Sequence, residues 1–228
     1  MASKASNLAG WDFSRIGGVA ALGFVLVLLG SNGILLVSGM PEPGTNIADS
    51  STYFSNHAGI AEFAWACAPV AFVCVILFGA SVAALLREHE RADGTAWSLV
   101  GLAGLIMQTV TFTAVTAIRF TLTAIPDRGS AVAGGLWTLH NALFIGNGVF
   151  LALAMVGLSV GGLRAGILRK WHANLGFTSA AILFTWTLLA PLQLDHRSPL
   201  GLIGLVGWLL WVVWVATYGV TLIRPARR

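Results

Sequence analysis

Six long apolar runs divide this chain, and they limit the folds open to it more than any other feature. A run of about 18 or more apolar residues is long enough to cross a bilayer as an α-helix. Only 10% of the residues are charged, whereas a soluble domain carries about 25%. We therefore predict an all-α fold, a polytopic membrane bundle of six transmembrane helices that forms one domain over residues 1–228 with no soluble domain. The runs cover roughly residues 16–39, 59–86, 97–124, 132–163, 171–192 and 199–223.

The basic residues between the runs predict how the helices are oriented. If the runs alternate in direction, ten of the 13 Lys and Arg residues fall on one side, Arg128 and Arg197 fall on the other, and Arg119 lies within a run. Lys and Arg concentrate in cytoplasmic loops, so we expect a multi-pass protein of the cell membrane with both termini cytoplasmic. Residues 87–94 are then a solvated inner loop. Basic inner loops that face anionic lipid explain the net charge of +4, so membrane lipids rather than nucleic acid are the expected partners.

Two charges inside the runs mark the candidate site. Glu62 is the only carboxylate that lies well inside an apolar run, and Arg119 is the only such cation. A charged side chain at the centre of a membrane helix costs about 2.5–3.5 kcal/mol on insertion scales, so such a residue is a functional-site hypothesis. Both lie near the predicted outer ends of neighbouring antiparallel helices, and we expect their side chains to meet. The pair would either set the helix register as a buried ion pair or line a cavity open to the outer leaflet.

Further polar and aromatic residues fall at the same predicted depth. His57, His140 and Asn141 lie there, and Asp195 and His196 follow the fifth run on that side. Trp65 lies one turn from Glu62, Trp137 lies one turn from His140, and Phe112 shares a helical stripe with Arg119. These aromatic residues are candidates for the walls of a pocket rather than for the interfacial belt.

Several motifs resemble those of a broad group of actinobacterial six-helix integral membrane proteins of unknown function. One is Leu-Trp-Thr-Leu-His-Asn at 136–141, and another is the turn Gly-Gly-Leu-Arg-Ala-Gly-Ile-Leu-Arg-Lys-Trp at 161–171, followed by Leu-Gly at 175–176. Tyr-Phe-Ser-Asn-His at 53–57 is similar too. The group usually has a proline between the Leu and Arg of that turn, and this chain has none. The resemblance covers most of the chain and implies the six-helix architecture, but no chemistry.

A second resemblance concerns the positions of two acids. Small integral-membrane terpene cyclases use one acid near the start of the second helix and another near the C-terminal part, and Glu62 and Asp195 resemble that arrangement. Those enzymes generally have seven helices, whereas this chain has six runs. Such a cyclisation needs a carboxylic acid kept protonated by an apolar site, aromatic faces that stabilise the cation, and a group that accepts the final proton.

Three functional classes therefore stay open. The first is a membrane-bound cyclase or isomerase that uses general acid–base catalysis on a lipid-soluble small molecule. The second is a non-catalytic accessory or ligand-binding subunit, whose partners would be other membrane subunits. The third is a haem or metal protein that uses His57, His140 and His196, although no CxxCH motif is present. The first class makes Glu62, Asp195 and His140 catalytic and makes Trp65, Phe112, Arg119, Trp137 and Asn141 contact the substrate. No metal or cofactor is expected for it, and Cys67 and Cys74 are interpreted as packing residues.

Overall fold

The computed structural model describes residues 12–125, 131–194 and 199–224, and within these ranges the regular structure is helical. A short 3₁₀ turn at Ala190–Leu192 follows the eighth α-helix. The α-helices are α1 (Phe13–Val37), α2 (Ile47–Asn56), α3 (Ala58–Ala66), α4 (Ala68–Asp93), α5 (Trp97–Ala124), α6 (Ala131–Gly146), α7 (Gly148–Arg164), α8 (Lys170–Leu188) and α9 (Gly201–Ile223).

Two of the predicted membrane runs are broken into consecutive helices. The second run forms α3 and α4, with Pro69 in the first turn of α4; proline fits a first helical turn because its missing N–H is not needed there. The fourth run forms α6 and α7, which meet at Asn147. Each pair is still long and apolar enough to count as a single span, Ala58–Asp93 and Ala131–Arg164.

Five segments in the described ranges are long and apolar enough to cross a membrane: α1, α3–α4, α5, α6–α7 and α9. This confirms the prediction of an all-helical chain with apolar spans. The predicted fifth run, α8, is not among them, and Lys170, His172 and Asn174 make its first turn polar. A crossing by α8, and with it the count of six, stays a prediction.

Six of the helices form a closed ring: α1, α4, α5, α7, α8 and α9. Going round it, α4 packs on α1, α1 on α9, α9 on α8, α8 on α7, α7 on α5, and α5 on α4 again. The backbones of α5 and α7 approach closely, since a Cβ placed on Gly157 would lie 2.3 Å from the backbone nitrogen of Gly101. Small residues permit such backbone contact between membrane helices. The outer surface is rich in exposed apolar side chains, such as Leu26, Leu36 and Val37, as a lipid-facing perimeter requires.

Two clusters of buried apolar residues fill the bundle. The larger one runs along the ring and includes the fully buried Trp211, Trp214 and Tyr218. The smaller one lies at one end, where Phe54 of the short helix α2 packs among residues of α1, α3, α5 and α6. We call this end of the bundle the α2 end, and the polar cluster described next borders it.

Candidate functional site

Arg119, near the C-terminal end of α5, is the centre of a polar cluster at the α2 end. Its Nε donates a hydrogen bond to Nε2 of His140 on α6, at 2.9 Å. The other ring nitrogen of His140, Nδ1, lies 3.0 Å from Oδ1 of Asn141. Since Nε2 accepts from the guanidinium, Nδ1 carries the ring proton and donates it to Asn141. His140 is 2% exposed and Asn141 is 1% exposed, so the pair forms a fixed, buried support for Arg119.

Aromatic rings enclose the guanidinium and the imidazole. The Cζ atom of Arg119 lies 5.7 Å from the ring centre of Trp65 and 5.9 Å from that of Phe144. The His140 ring is stacked between Trp137, at 4.7 Å, and Phe144, at 6.0 Å. Residues 137, 140 and 144 are three and four apart, which places them on one face of α6. The cation is therefore held by ring faces and by one neutral acceptor.

The charge of Arg119 has no counter-charge in the part of the chain that the structure describes. The ion pair found there joins Arg164 to Asp93, with Nη2 and Oδ2 3.7 Å apart, and it does not involve Arg119. A guanidinium has five N–H donors, and among the described residues only the Nε–H of Arg119 has an acceptor. The side chain is half-buried, so an acceptor from outside the protein can reach it.

The predicted ion pair between Glu62 and Arg119 is wrong. Glu62 lies on α3, but its side chain is exposed and makes no ion pair with Arg119. The reason is the rotation of α3, which turns Ala61, Ala64 and Trp65 towards the core. Glu62 is about 100° round the helix from Ala61 and so points out of the bundle. Trp65, rather than Glu62, is the residue of α3 that contacts the guanidinium.

The structure brings most of the other predicted site residues together. Trp65 and His140 contact Arg119 directly, and Trp137 and Asn141 contact His140. Phe112 touches the cluster through Phe144, with ring centres 5.8 Å apart. Asp195 and His196 lie outside the described residues. His57 lies apart from the cluster and stacks on Tyr53, with ring centres 5.1 Å apart.

Sequence reasoning missed Phe144 and Thr45. Phe144 contacts Arg119, His140, Phe112 and Trp186, and its position four residues after His140 was a signal that could have identified it. The backbone carbonyl of Thr45 accepts a hydrogen bond from Nε1 of Trp137, at 2.8 Å. That bond fixes the loop before α2 to the site, and no sequence pattern indicates it.

A buried acid, Glu90, lies at the opposite end of the bundle. Glu90 was predicted to lie in a solvated loop, but α4 continues to Asp93 and the Glu90 side chain is only 7% exposed. Its Oε1 accepts from the backbone N–H of Ser98, at 2.6 Å, and its Oε2 accepts from the Ser98 hydroxyl. Glu90 therefore caps the N-terminus of α5 from the neighbouring helix. The prediction of a solvated loop is wrong at this residue.

Two further observations concern metal ligands and similarity to known proteins. Within residues 12–125, 131–194 and 199–224, no three His, Cys, Asp or Glu side chains come together as a metal site would require. No family model, no curated protein and no solved structure matches this chain. The geometry around Arg119 is therefore the feature of the chain that bears most directly on function.

Proposed function

We propose that this protein binds an anionic amphiphile at the α2 end of the bundle, with the acidic head group on Arg119. One observation carries the proposal: a half-buried guanidinium, enclosed by aromatic rings, that has no counter-charge among the described residues. An unpaired charge withdrawn from water is costly, and a ligand that supplies the opposite charge offsets that cost.

The geometry of the guanidinium supports a carboxylate or a phosphate as the head group. Its planar fork donates two parallel hydrogen bonds to such groups. Because His140 holds Nε, the two terminal Nη atoms are the ones left for the ligand. His140 is therefore a positioning residue here, since both of its ring nitrogens are already engaged.

The depth of Arg119 supports a ligand with an apolar tail. Arg119 precedes the last residue of α5, Ala124, by five positions, which is about 7.5 Å along the helix axis. A head group bound there lies near the membrane boundary, and an apolar chain can follow the exposed apolar surface of the helices. A long-chain carboxylic acid is the simplest molecule that meets both requirements.

The test compares a fluorescent long-chain carboxylic acid with its methyl ester on the purified protein in neutral-lipid nanodiscs. We expect saturable binding of the acid and at least about tenfold weaker binding of the ester, because only the acid makes charge-assisted hydrogen bonds to Arg119. Arg119→Gln should weaken binding of the acid to the level of the ester. Arg224→Gln, which removes an exposed cation at the end of α9, is the matched control and should bind the acid as the wild type does.

Equal binding of acid and ester by the wild-type protein would contradict the proposal. This comparison needs no variant, so it decides the question even if Arg119→Gln does not fold.

An acid–base cyclase or isomerase remains the second candidate function. The aromatic rings of Trp65, Trp137 and Phe144 favour it, since ring faces stabilise developing cations. The exposure of Glu62 weighs against it. Full turnover of a lipid-soluble substrate by both Glu62→Gln and Asp195→Asn would remove this candidate.

We also propose that α8 crosses the membrane as a sixth span and that both termini are cytoplasmic. The support for the span is its place in the ring between α7 and α9, and the support for the orientation is the distribution of Lys and Arg. Single cysteines introduced at the exposed positions Glu88 and His89 should then be labelled by an impermeant thiol reagent only after the membrane is opened. Labelling at these positions in intact cells would show that the orientation is the opposite of the one proposed.

A further inference from the structure

A basic crevice lies between the end of α4 and the start of α5, at the opposite end of the bundle from Arg119. It has a volume of about 110 Å³ and is lined by Arg87, Glu90, Arg91, Thr95, Ala96 and Leu99. A second hollow of about 310 Å³ shares Thr95 and Ala96 with it and is otherwise lined by Trp97 and Val100. We propose that the crevice binds the phosphate of an anionic membrane lipid, with the adjoining hollow taking the apolar part.

The crevice carries a net positive charge, because its two arginines outnumber the single carboxylate, that of Glu90. Arg87 and Arg91 are four residues apart on α4, so their side chains lie side by side, and like charges at this spacing destabilise a helix. Neither makes an ion pair within the described ranges, where Asp93 pairs with Arg164 instead. Glu90, the acid in the lining, directs both of its oxygens to Ser98 and makes no ion pair with either arginine. An anion between the two arginines would relieve their repulsion.

The opposite wall of the crevice offers donors of its own. The backbone N–H groups of Ala96 and Trp97 begin α5, and in the described part of the chain neither donates a hydrogen bond. Free N–H groups at a helix N-terminus attract phosphate. Arg87, Arg91 and Ala96 thus line the crevice itself, and Trp97 lines the adjoining hollow.

The surroundings favour a lipid over a free ion. The crevice lies where two apolar spans end, Ala58–Asp93 and Trp97–Ala124. Leu99 in its wall is 47% exposed, and the adjoining hollow extends along α5 as far as Val100. Basic pockets at such positions bind lipid head groups in other membrane proteins.

The experiment measures lipid binding to the purified full-length protein by native mass spectrometry, with phosphatidylglycerol and phosphatidylcholine as probes. The wild type should retain phosphatidylglycerol at concentrations where phosphatidylcholine is lost. The double variant Arg87→Gln/Arg91→Gln should weaken phosphatidylglycerol binding by at least about tenfold. Arg169→Gln/Lys170→Gln is the matched control, because it removes two exposed cations near the same end of the bundle that do not line the crevice.

Each outcome decides the proposal. Loss confined to the Arg87/Arg91 variant supports a built site. Equal loss in both double variants overturns it in favour of a diffuse surface potential, and no loss in either overturns it outright. Inorganic phosphate that displaces phosphatidylglycerol at comparable concentration overturns the assignment to a lipid. A thermal-shift measurement in neutral detergent supplies a second readout: phosphatidylglycerol should raise the melting temperature of the wild type and the control, but not that of Arg87→Gln/Arg91→Gln.

Discussion

Gly157→Ala should destabilise the folded bundle by about 3 kcal/mol, the upper range for overpacking a helix interface. The new Cβ would lie 2.3 Å from the nitrogen of Gly101, 2.7 Å from its Cα and 2.7 Å from the carbonyl oxygen of Trp97. All three are backbone atoms, so no side chain can rotate away to make room. α5 and α7 would have to separate, and the neighbouring contact of Gly104 with Ala154 would be lost as well.

Unfolding in a mixed-detergent titration measures this loss. Gly134→Ala on α6 is the matched control, because a Cβ there meets nothing within 4 Å. Alanine favours a helix over glycine by about 1 kcal/mol, so the control should be neutral or stabilising. Similar destabilisation by both variants would show that the effect of Gly157→Ala does not come from the close contact between α5 and α7.

Glu90→Ala should cost about 2–3 kcal/mol of stability because it removes the acceptor for two donors of Ser98. The backbone N–H and the hydroxyl of Ser98 both point at the Glu90 carboxylate, and Ser98 is fully buried. Glu90→Gln keeps one carbonyl acceptor and should lose about half as much.

Chemical unfolding of the variants in detergent tests this prediction. Glu88→Ala is the matched control, since Glu88 is a neighbouring acid on α4 whose side chain is exposed, and it should change stability by less than about 0.5 kcal/mol. Ser98→Ala should cost less than Glu90→Ala, because the backbone bond to Glu90 survives. An unfolding midpoint for Glu90→Ala equal to that of Glu88→Ala would refute the capping role.

The helices could be predicted from the sequence because a lipid-embedded backbone has few alternatives. A chain in hydrocarbon must satisfy its N–H and C=O groups internally, so long apolar runs become helices. The breaks at Cys67 and Asn147 were not predicted, since the apolar runs continue through them. Pro69 was a local signal for the first break, and nothing comparable marks the second.

The candidate site could be predicted in part, for a related reason. Arg119 and His140 were identified because polar residues are rare inside apolar runs. The position of a residue along a helix can be counted from the sequence, but its direction round the axis needs a polar face as reference. A helix that is apolar on all sides lacks one, and this is why the exposure of Glu62 was missed. Glu90 is buried because the turn between α4 and α5 brings Ser98 against it. The pattern of charges in the sequence does not reveal that contact.

The closed ring of helices determines which helix–helix contact can form only at the end of synthesis. Within the described chain α1 is made first and α9 last, yet they are neighbours in the ring, with Gly18 of α1 against Gly219 of α9. At ordinary rates of translation, about 5–20 residues per second, α1 waits roughly ten to forty seconds in the bilayer for this partner. Until α9 is made, the chain lacks the helix that packs against α1 at Gly18. The ring can therefore close only after the last of its helices, α9, has been made.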